Sequence, residues 1–350
     1  MLTPGPADTR AHRVRSFLER QGAPPYRFQQ LLHELFGRGV TEFGRMTALP
    51  LGLRSALAAR FGPSWPGIRA VASERRGQVR KVLFEAERGV RFETVFSRYR
   101  AGWTSLCVSS QAGCGLGCGF CATGAIGLVR NLTADEICDQ VLHFRRETQV
   151  SSVSFMGMGE ALANPHTFTA LGQLTDPLMF GISPRRITVS TVGFLPGLRR
   201  LARERPGVVI TLSVHSPDPA ERAALIPLEH RFPLEECLAV LDEHAEVNRR
   251  KVYLAYLLID RVNDSVAHAR DLAGLVRARR RPGLFHVSVI PYNHAAGVNP
   301  DYRPPPPRRA GAFLAALRDA GVRAARRQQF GADAEAACGQ LHAGYSAARR

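Results

Sequence analysis

No uninterrupted apolar run close to the roughly 18 residues of a membrane helix occurs anywhere in this 350-residue chain. Met1 to Arg20 also lacks the apolar stretch of an export signal. The sequence therefore predicts no membrane span and no signal peptide, and places the protein in the cytoplasm. Acidic residues are scarce: 30 Asp and Glu face 47 Lys and Arg, a formal net charge of +17. Lysine is itself nearly missing, since Lys81 and Lys251 are the whole complement, so the positive charge is arginine. It clusters at Arg185-Arg186, Arg249-Arg250-Lys251, Arg279 to Arg281, Arg308-Arg309 and Arg323 to Arg327. Such a surplus points to a polyanionic partner, because each neutralised phosphate releases counterions. Charge alone does not choose RNA over DNA, and solvated surface arginine is the plainer alternative. With 45% hydrophobic and 22% charged residues, the composition excludes a wholly disordered chain. Seven cysteines, an odd number, argue against a complete disulfide framework and favour metal or redox chemistry.

The chain is long enough for one large domain with an appendage. Up to residue 75 the pattern is a small helical unit, with Leu31, Leu32, Leu35 and Phe36 at helical spacing. From about Ile68 the pattern alternates, and "RKVLFE" and "RFETVFSRY" read as two strands joined at Arg88-Gly89, reaching about residue 100. Across 101–330, strands and helices alternate. A capping box at Thr133 and Glu136 opens one of these helices. Regular alternation with nearly continuous apolar strands predicts an α/β fold, a partial (β/α)6 TIM-like barrel preceded by a small N-terminal helical accessory domain. Residues 331–350 form a last segment and tail. No internal repeat is present, and Pro304 to Pro307 reads as a stiff exposed loop.

In a barrel the chemistry gathers at the C-terminal ends of the strands. Polar, small-residue stretches stand at those points: "GMGE" (Gly157 to Glu160), "STVG" (Ser190 to Gly193), "SVHS" (Ser213 to Ser216) and "PYN" (Pro291 to Asn293). The stretch "QAGCGLGCGFCATG" after the first barrel strand carries Cys114, Cys118 and Cys121. Its glycines give the backbone freedom to wrap a bulky ligand. Three thiolates leave one metal position open, whereas a structural zinc takes four protein ligands. The Cys-x3-Cys-x2-Cys spacing with Phe120 before the last cysteine is similar to that of radical S-adenosylmethionine (SAM) enzymes. A zinc loop completed by a distant Cys or His is the alternative.

Taken together, "LCVSSQAGCGLGCGFCATG", "FMGMGEALAN", "STVG", "LSVHSP" and "AACGQL" resemble the RlmN/Cfr family of 23S rRNA adenine methyltransferases. The likeness spans about Arg80 to Tyr345. It is nearer the Cfr branch, which acts at carbon 8 and gives antibiotic resistance, on the strength of "AGW", "CATGAIGL", Ala161, "TDP", "SPRR" and "QFGADAEAACGQL". The resemblance implies one [4Fe-4S] cluster on Cys114, Cys118 and Cys121. It implies SAM contacts from Gly159, Glu160, Ser190, Ser213, Val214, His215 and Asn293, with two SAM molecules used per turnover. It further implies that Cys338 carries the methyl group and that Cys107 resolves the protein–RNA adduct, ending in a Cys107–Cys338 disulfide. Glu93 matches the family's candidate proton acceptor. The implied substrate is an adenosine in the peptidyl-transferase centre of 23S rRNA, met before full ribosome assembly. A flavodoxin- or ferredoxin-type electron donor and a monomeric enzyme complete the expectation. The Cys338 segment is expected to be flexible, with glycines at 331, 339 and 344. Carbon-2 methylation of the same adenosine, extending to tRNA, and a basic RNA-binding protein with structural zinc are the competing readings.

Overall fold

The computed structural model describes residues 9–295, 297–327 and 336–345. Three helices come first: α1 (Arg10–Arg20), capped by the Thr9 hydroxyl, α2 (Tyr26–Leu32) and α3 (Leu51–Phe61). They bury Val14, Leu18, Leu31, Leu32 and Leu57, each worth about 1.5–3 kcal/mol of hydrophobic stabilisation relative to exposure. Three antiparallel strands follow, β1 (Arg69–Arg76), β2 (Val79–Glu85) and β3 (Arg91–Arg98). Here sequence alternation identifies β2 and β3, while β1 is a further edge strand, largely exposed on both faces.

β4 (Thr104–Val108) pairs antiparallel with β3 on one side and parallel with β7 (Ser152–Phe155) on the other. Between them lie β5 (Gln111–Cys114), α4 (Ala122–Ile126), β6 (Gly127–Asn131) and α5 (Ala134–Arg145). β5 and β6 make their own two-stranded sheet. The predicted capping box is present at α5, with Glu136 N donating to Thr133 Oγ1 at 3.2 Å and Thr133 N donating to Glu136 Oε2 at 2.8 Å. The series continues through α6 (His166–Thr175), β8 (Ile187–Thr191), α7 (Leu195–Glu204) and β9 (Val209–Ser213). It ends with α8 (Pro219–Leu225), α9 (Leu234–Asn248), β10 (Val252–Leu258), α10 (Val266–Arg277), β11 (Phe285–Pro291), α11 (Pro307–Asp319) and β12 (Ala324–Arg326).

From β4 to β12 every neighbouring pair in the main sheet is parallel, in the order β4-β7-β8-β9-β10-β11-β12. The far edge of β4 is taken by β3, so the sheet stays open, a partial barrel extended by antiparallel strands. One continuous apolar core joins the N-terminal helices to the barrel. Polar ties cross the same seam: Arg10 pairs with Asp139 of α5 at 3.1 Å, and Gly67 N donates to the same carboxylate at 2.7 Å. No helix is long and apolar enough to cross a membrane among the described residues.

Candidate active site

The three-cysteine stretch is more ordered than a glycine-rich loop. Gln111 pairs with Asn131 and Cys114 with Gly127, so the first cysteine ends a hairpin strand. Gly113 is obligatory there: it sits at φ +72, and a Cβ would fall 1.9 Å from the Gly127 carbonyl oxygen. Buried amides hold the hairpin base. Asn164 Nδ2 donates to Ser110 O (2.7 Å) and Leu132 O (2.8 Å), and Gln140 Nε2 donates to Ser109 O (2.9 Å). Gln111 also receives the Glu160 N–H on Oε1 at 2.9 Å, which ties the cysteine hairpin to the "GMGE" strand end. Gly159 permits this approach, since a Cβ there would lie 2.4 Å from Gln111 Cβ.

Burial pushes the Cys114 thiol up to about 12 and raises Cys118 and Cys121 as well; Cys121 further raises Cys114 and Cys118, and Cys338 raises Cys121. Backbone N–H groups of Leu116 and Glu160 at Cys114, and of Gly124 and Thr123 at Cys121, favour the thiolates. Three crowded, desolvated sulfurs with amide donors aimed at them need a cationic partner to ionise, as a bound metal would supply. Among the described residues no three His, Cys, Asp or Glu side chains converge on a point that holds one metal ion. In a four-iron cluster each thiolate takes a separate iron, whereas zinc draws its ligands onto a single centre. Three soft thiolate donors suit an iron–sulfur cluster.

Two cavities abut beside this hairpin. One is lined by Gly159, Glu160, Ser190, Ser213 and His215, the strand ends singled out from sequence. Glu160 is buried there, and its carboxylate accepts from Val192 N (3.0 Å) and Leu162 N (3.2 Å); burial raises its pKa, and those N–H groups work against the shift. His215 stands at φ +62, with Nδ1 accepting from Leu257 N at 3.0 Å. Two expected contacts are not brought to the cavity lining. Val214 is fully buried in the core. Asn293 is buried beyond β11, and its Nδ2 finds no partner among the described residues, leaving that donor available to a ligand.

The second cavity contains Cys107, Cys338, Cys121, Tyr99 and Arg327. Cys338, Arg327 and Phe120 line both cavities. All seven cysteines are free thiols, and Cys338 is exposed while Cys138 and Cys237 lie in the core. Burial pushes Cys107 up to about 12, the nearby Cys338 thiol raises it further, and the Arg327 charge draws it down.

The Cys338 segment is expected to be loose, yet residues 336–345 are docked at several points; Gly331 lies outside the described residues. Ala122 N donates to Gly339 O at 2.8 Å, Thr123 Oγ1 to Leu341 O at 2.6 Å, and Gln340 Nε2 to His294 O at 2.9 Å. Glu93 belongs to this docking and does not line either cavity. Its Oε2 accepts from His342 N and Ala343 N, both at 2.8 Å, and its Oε1 pairs with Lys81 at 3.2 Å.

Sequence reasoning missed three supporting residues. Arg222 on α8 is wholly buried, paired with Glu229, and donates to Val192 O (2.6 Å), Ser213 O (3.1 Å) and Val214 O (3.1 Å), stapling the ends of β8 and β9. Its signal was "DPAER", where Asp218 as N-cap and Pro219 at the first position announce a helix. Asn263 Nδ2 holds His215 O at 2.6 Å and Leu257 O at 2.7 Å. Arg327, one of a basic run, gave no local signal at all.

The chain matches the family described as the Radical SAM superfamily over residues 108–273. It is 44% identical over 339 residues to the ribosomal RNA large subunit methyltransferase Cfr of Staphylococcus aureus, covering 96% of this chain and 97% of that protein. The protein of the same name from Bacillus velezensis is 43% identical over 335 residues, with 95% and 96% covered. A crystal structure of a radical SAM methyltransferase from Sphaerobacter thermophilus is similar at a TM-score of 0.90 and 37% identity, covering 96% of this chain and 98% of that one.

Proposed function

The chain belongs to the family of the Cfr ribosomal RNA large subunit methyltransferases, within the radical SAM superfamily, and from that premise we propose that it methylates carbon 8 of an adenosine in the peptidyl-transferase centre of 23S rRNA through an S-methyl group on Cys338. The observation that carries this reading is the position of Cys338, shared by the cavity of Glu160 and His215 and by the cavity of Cys107. One thiol at the junction of two cavities suits a group that is loaded on one side and delivers on the other.

Cys114, Cys118 and Cys121 would hold the cluster, and Gly159, Glu160, Ser190, Ser213 and His215 would cradle SAM, with Asn293 offering its unpartnered Nδ2. A bound cluster with SAM would supply the methyl group and the hydrogen-abstracting radical. Cys338 is an exposed free thiol, and its thiolate form would be the nucleophile that takes the methyl group. Once the base is joined to Cys338 through the former methyl carbon, the Cys107 thiolate would attack the Cys338 sulfur, forming the Cys107–Cys338 disulfide as the carbon–sulfur bond breaks and the freed carbon takes up a proton. Arg327 favours that thiolate, and an external dithiol reductant would reset the pair. The net charge of +17 supports a polyanionic substrate. A flavodoxin- or ferredoxin-type donor would reduce the cluster, and drug resistance would follow from the modified ribosome.

The test is nucleoside mass spectrometry of 23S rRNA from cells expressing the chain or its Cys338→Ala variant. The wild type is expected to yield 8-methyladenosine, and the variant none, while the purified variant still assembles its cluster and cleaves SAM. A carbon-2 methyl group would overturn the regiochemistry. Full methylation by the variant would overturn the thiol route, and a colourless protein after anaerobic reconstitution would overturn the cluster.

A further inference from the structure

Strands β3 and β4 lay out a graded strip that begins at Cys107 and ends in solvent. Val95 pairs with Cys107 and Ser97 with Ser105 in antiparallel register. The next pair outward is Tyr99 and Trp103, where Tyr99 N donates to Trp103 O at 2.9 Å. Alternate residues of a strand share a face, so the three pairs point the same way. Val95, Ser97, Tyr99, Ser105 and Cys107 all line the cavity that holds Cys338. The strip thus passes from thiol to two hydroxyls to two aromatic rings. Trp103 stands four positions from Cys107, about 13 Å at the usual rise of an extended strand.

The outer pair is already arranged for stacking. The Tyr99 and Trp103 rings lie 3.5 Å apart, 9° from parallel. Trp103 is 44% exposed, whereas the other tryptophan, Trp65, is buried in the core. The tip is held in shape: Gly102 N donates to Tyr99 O at 2.8 Å, and Thr104 Oγ1 donates to Gln149 O at 2.6 Å. Arg98 lies on the other face by the same alternation and donates to Thr148 Oγ1 at 3.4 Å, while Arg100 is exposed at the tip. A rigid, solvent-facing aromatic pair matches how proteins hold unstacked bases of single-stranded RNA, with ring faces on the base.

We propose that Tyr99 and Trp103 form a stacking platform for an RNA base one or two nucleotides from the adenosine that enters the Cys107–Cys338 cavity. The platform rests on the RNA-methylation reading above and adds the recognition of a neighbouring nucleotide. It would hold the strand splayed while the target base sits at the thiols.

The experiment uses the reconstituted full-length enzyme and a 23S rRNA transcript carrying the peptidyl-transferase loop. The KM for RNA is measured for wild type, Trp103→Phe and Trp103→Ala, beside SAM cleavage without RNA. Trp103→Ala is expected to raise KM about tenfold, the loss of one base–aromatic stack, without slowing RNA-free cleavage, and Trp103→Phe to restore most of the affinity. Abasic replacement of each neighbouring nucleotide in turn should raise the wild-type KM at one position. That same replacement should add nothing in Trp103→Ala. An unchanged KM in Trp103→Ala overturns the platform. So does an abasic scan without effect on the wild type, which needs no variant to fold. If the wild type methylates no RNA, the methylation reading fails and the platform falls with it; if it methylates normally, only the platform is in question.

Discussion

Burial, reinforced by the Arg222 charge, lowers the His215 pKa to about 3, so the imidazole is neutral at physiological pH. Nδ1 accepts the Leu257 N–H, which leaves the proton on Nε2, a neutral donor in the cavity beside Glu160. The unfolded histidine titrates near 6.5. Between pH 6.5 and 3 the unfolded chain therefore binds a proton that the folded chain refuses, and stability falls as pH falls through that window. The linkage amounts to about 2 kcal/mol between pH 7 and pH 5. His215→Asn keeps a residue that tolerates positive φ and removes the titration. Urea unfolding at pH 7 and pH 5 should show that much less acid sensitivity in the variant; equal sensitivity would mean the imidazole is not held neutral.

Among the elements, the C-terminal segment and the strand β3 depend on each other. Glu93 looks from sequence like a reactive carboxylate, yet it spends both oxygens on Lys81 and on the His342 and Ala343 amides. Hydrogen bonds to an ionised acceptor are each worth about 1.5–3 kcal/mol. In Glu93→Gln these weaken, and hydrogen exchange at His342 and Ala343 is expected to speed up by roughly tenfold or more. Amide exchange measured by mass spectrometry or NMR checks this. Unchanged exchange, with methylation stalled at a protein–RNA adduct, would favour a proton-accepting role for Glu93 instead. The segment's docking on Ala122 and Thr123 also means that Cys338 keeps register with the residues directly after Cys121.

Across the whole molecule, the N-terminal helices are fastened to the barrel through two buried carboxylates, Asp139 and Asp135, the latter accepting Arg10 N at 2.7 Å. Asp139 accepts both Arg10 Nη1 contacts and the Gly67 N–H, and burial, opposed by Arg10, raises its pKa to about 6. Asp139→Ala would remove the hydrogen-bonded partner of the largely buried Arg10 charge and leave it only the longer-range attraction of Asp135 and Glu136, an expected loss of about 3 kcal/mol. Chemical denaturation should record it, together with proteolytic cleavage near Gly67 as the helices detach. A loss under about 0.5 kcal/mol, the range of an ordinary surface substitution, would show that the apolar core and Asp135 suffice to hold the two parts together.

Local rules made much of this protein legible. The Thr133–Glu136 capping box and the βα alternation follow from backbone periods and short-range chemistry, and both are where the sequence puts them. The hairpin within the cysteine stretch was not legible, because its pairing of Gln111 with Asn131 spans a glycine-rich interval that has no alternation. Arg222 reads as surface charge until the barrel closes over it. By itself the sequence determined the ingredients: thiols, polar strand ends and an arginine surplus. Only the tertiary structure decided that Cys338 stands between two cavities, on a segment whose Leu341 bonds to Thr123 across 218 residues. The physical reason is range. Periodicity acts within a few residues, whereas which distant groups meet is settled only when the sheet curls and its open edges take their neighbours.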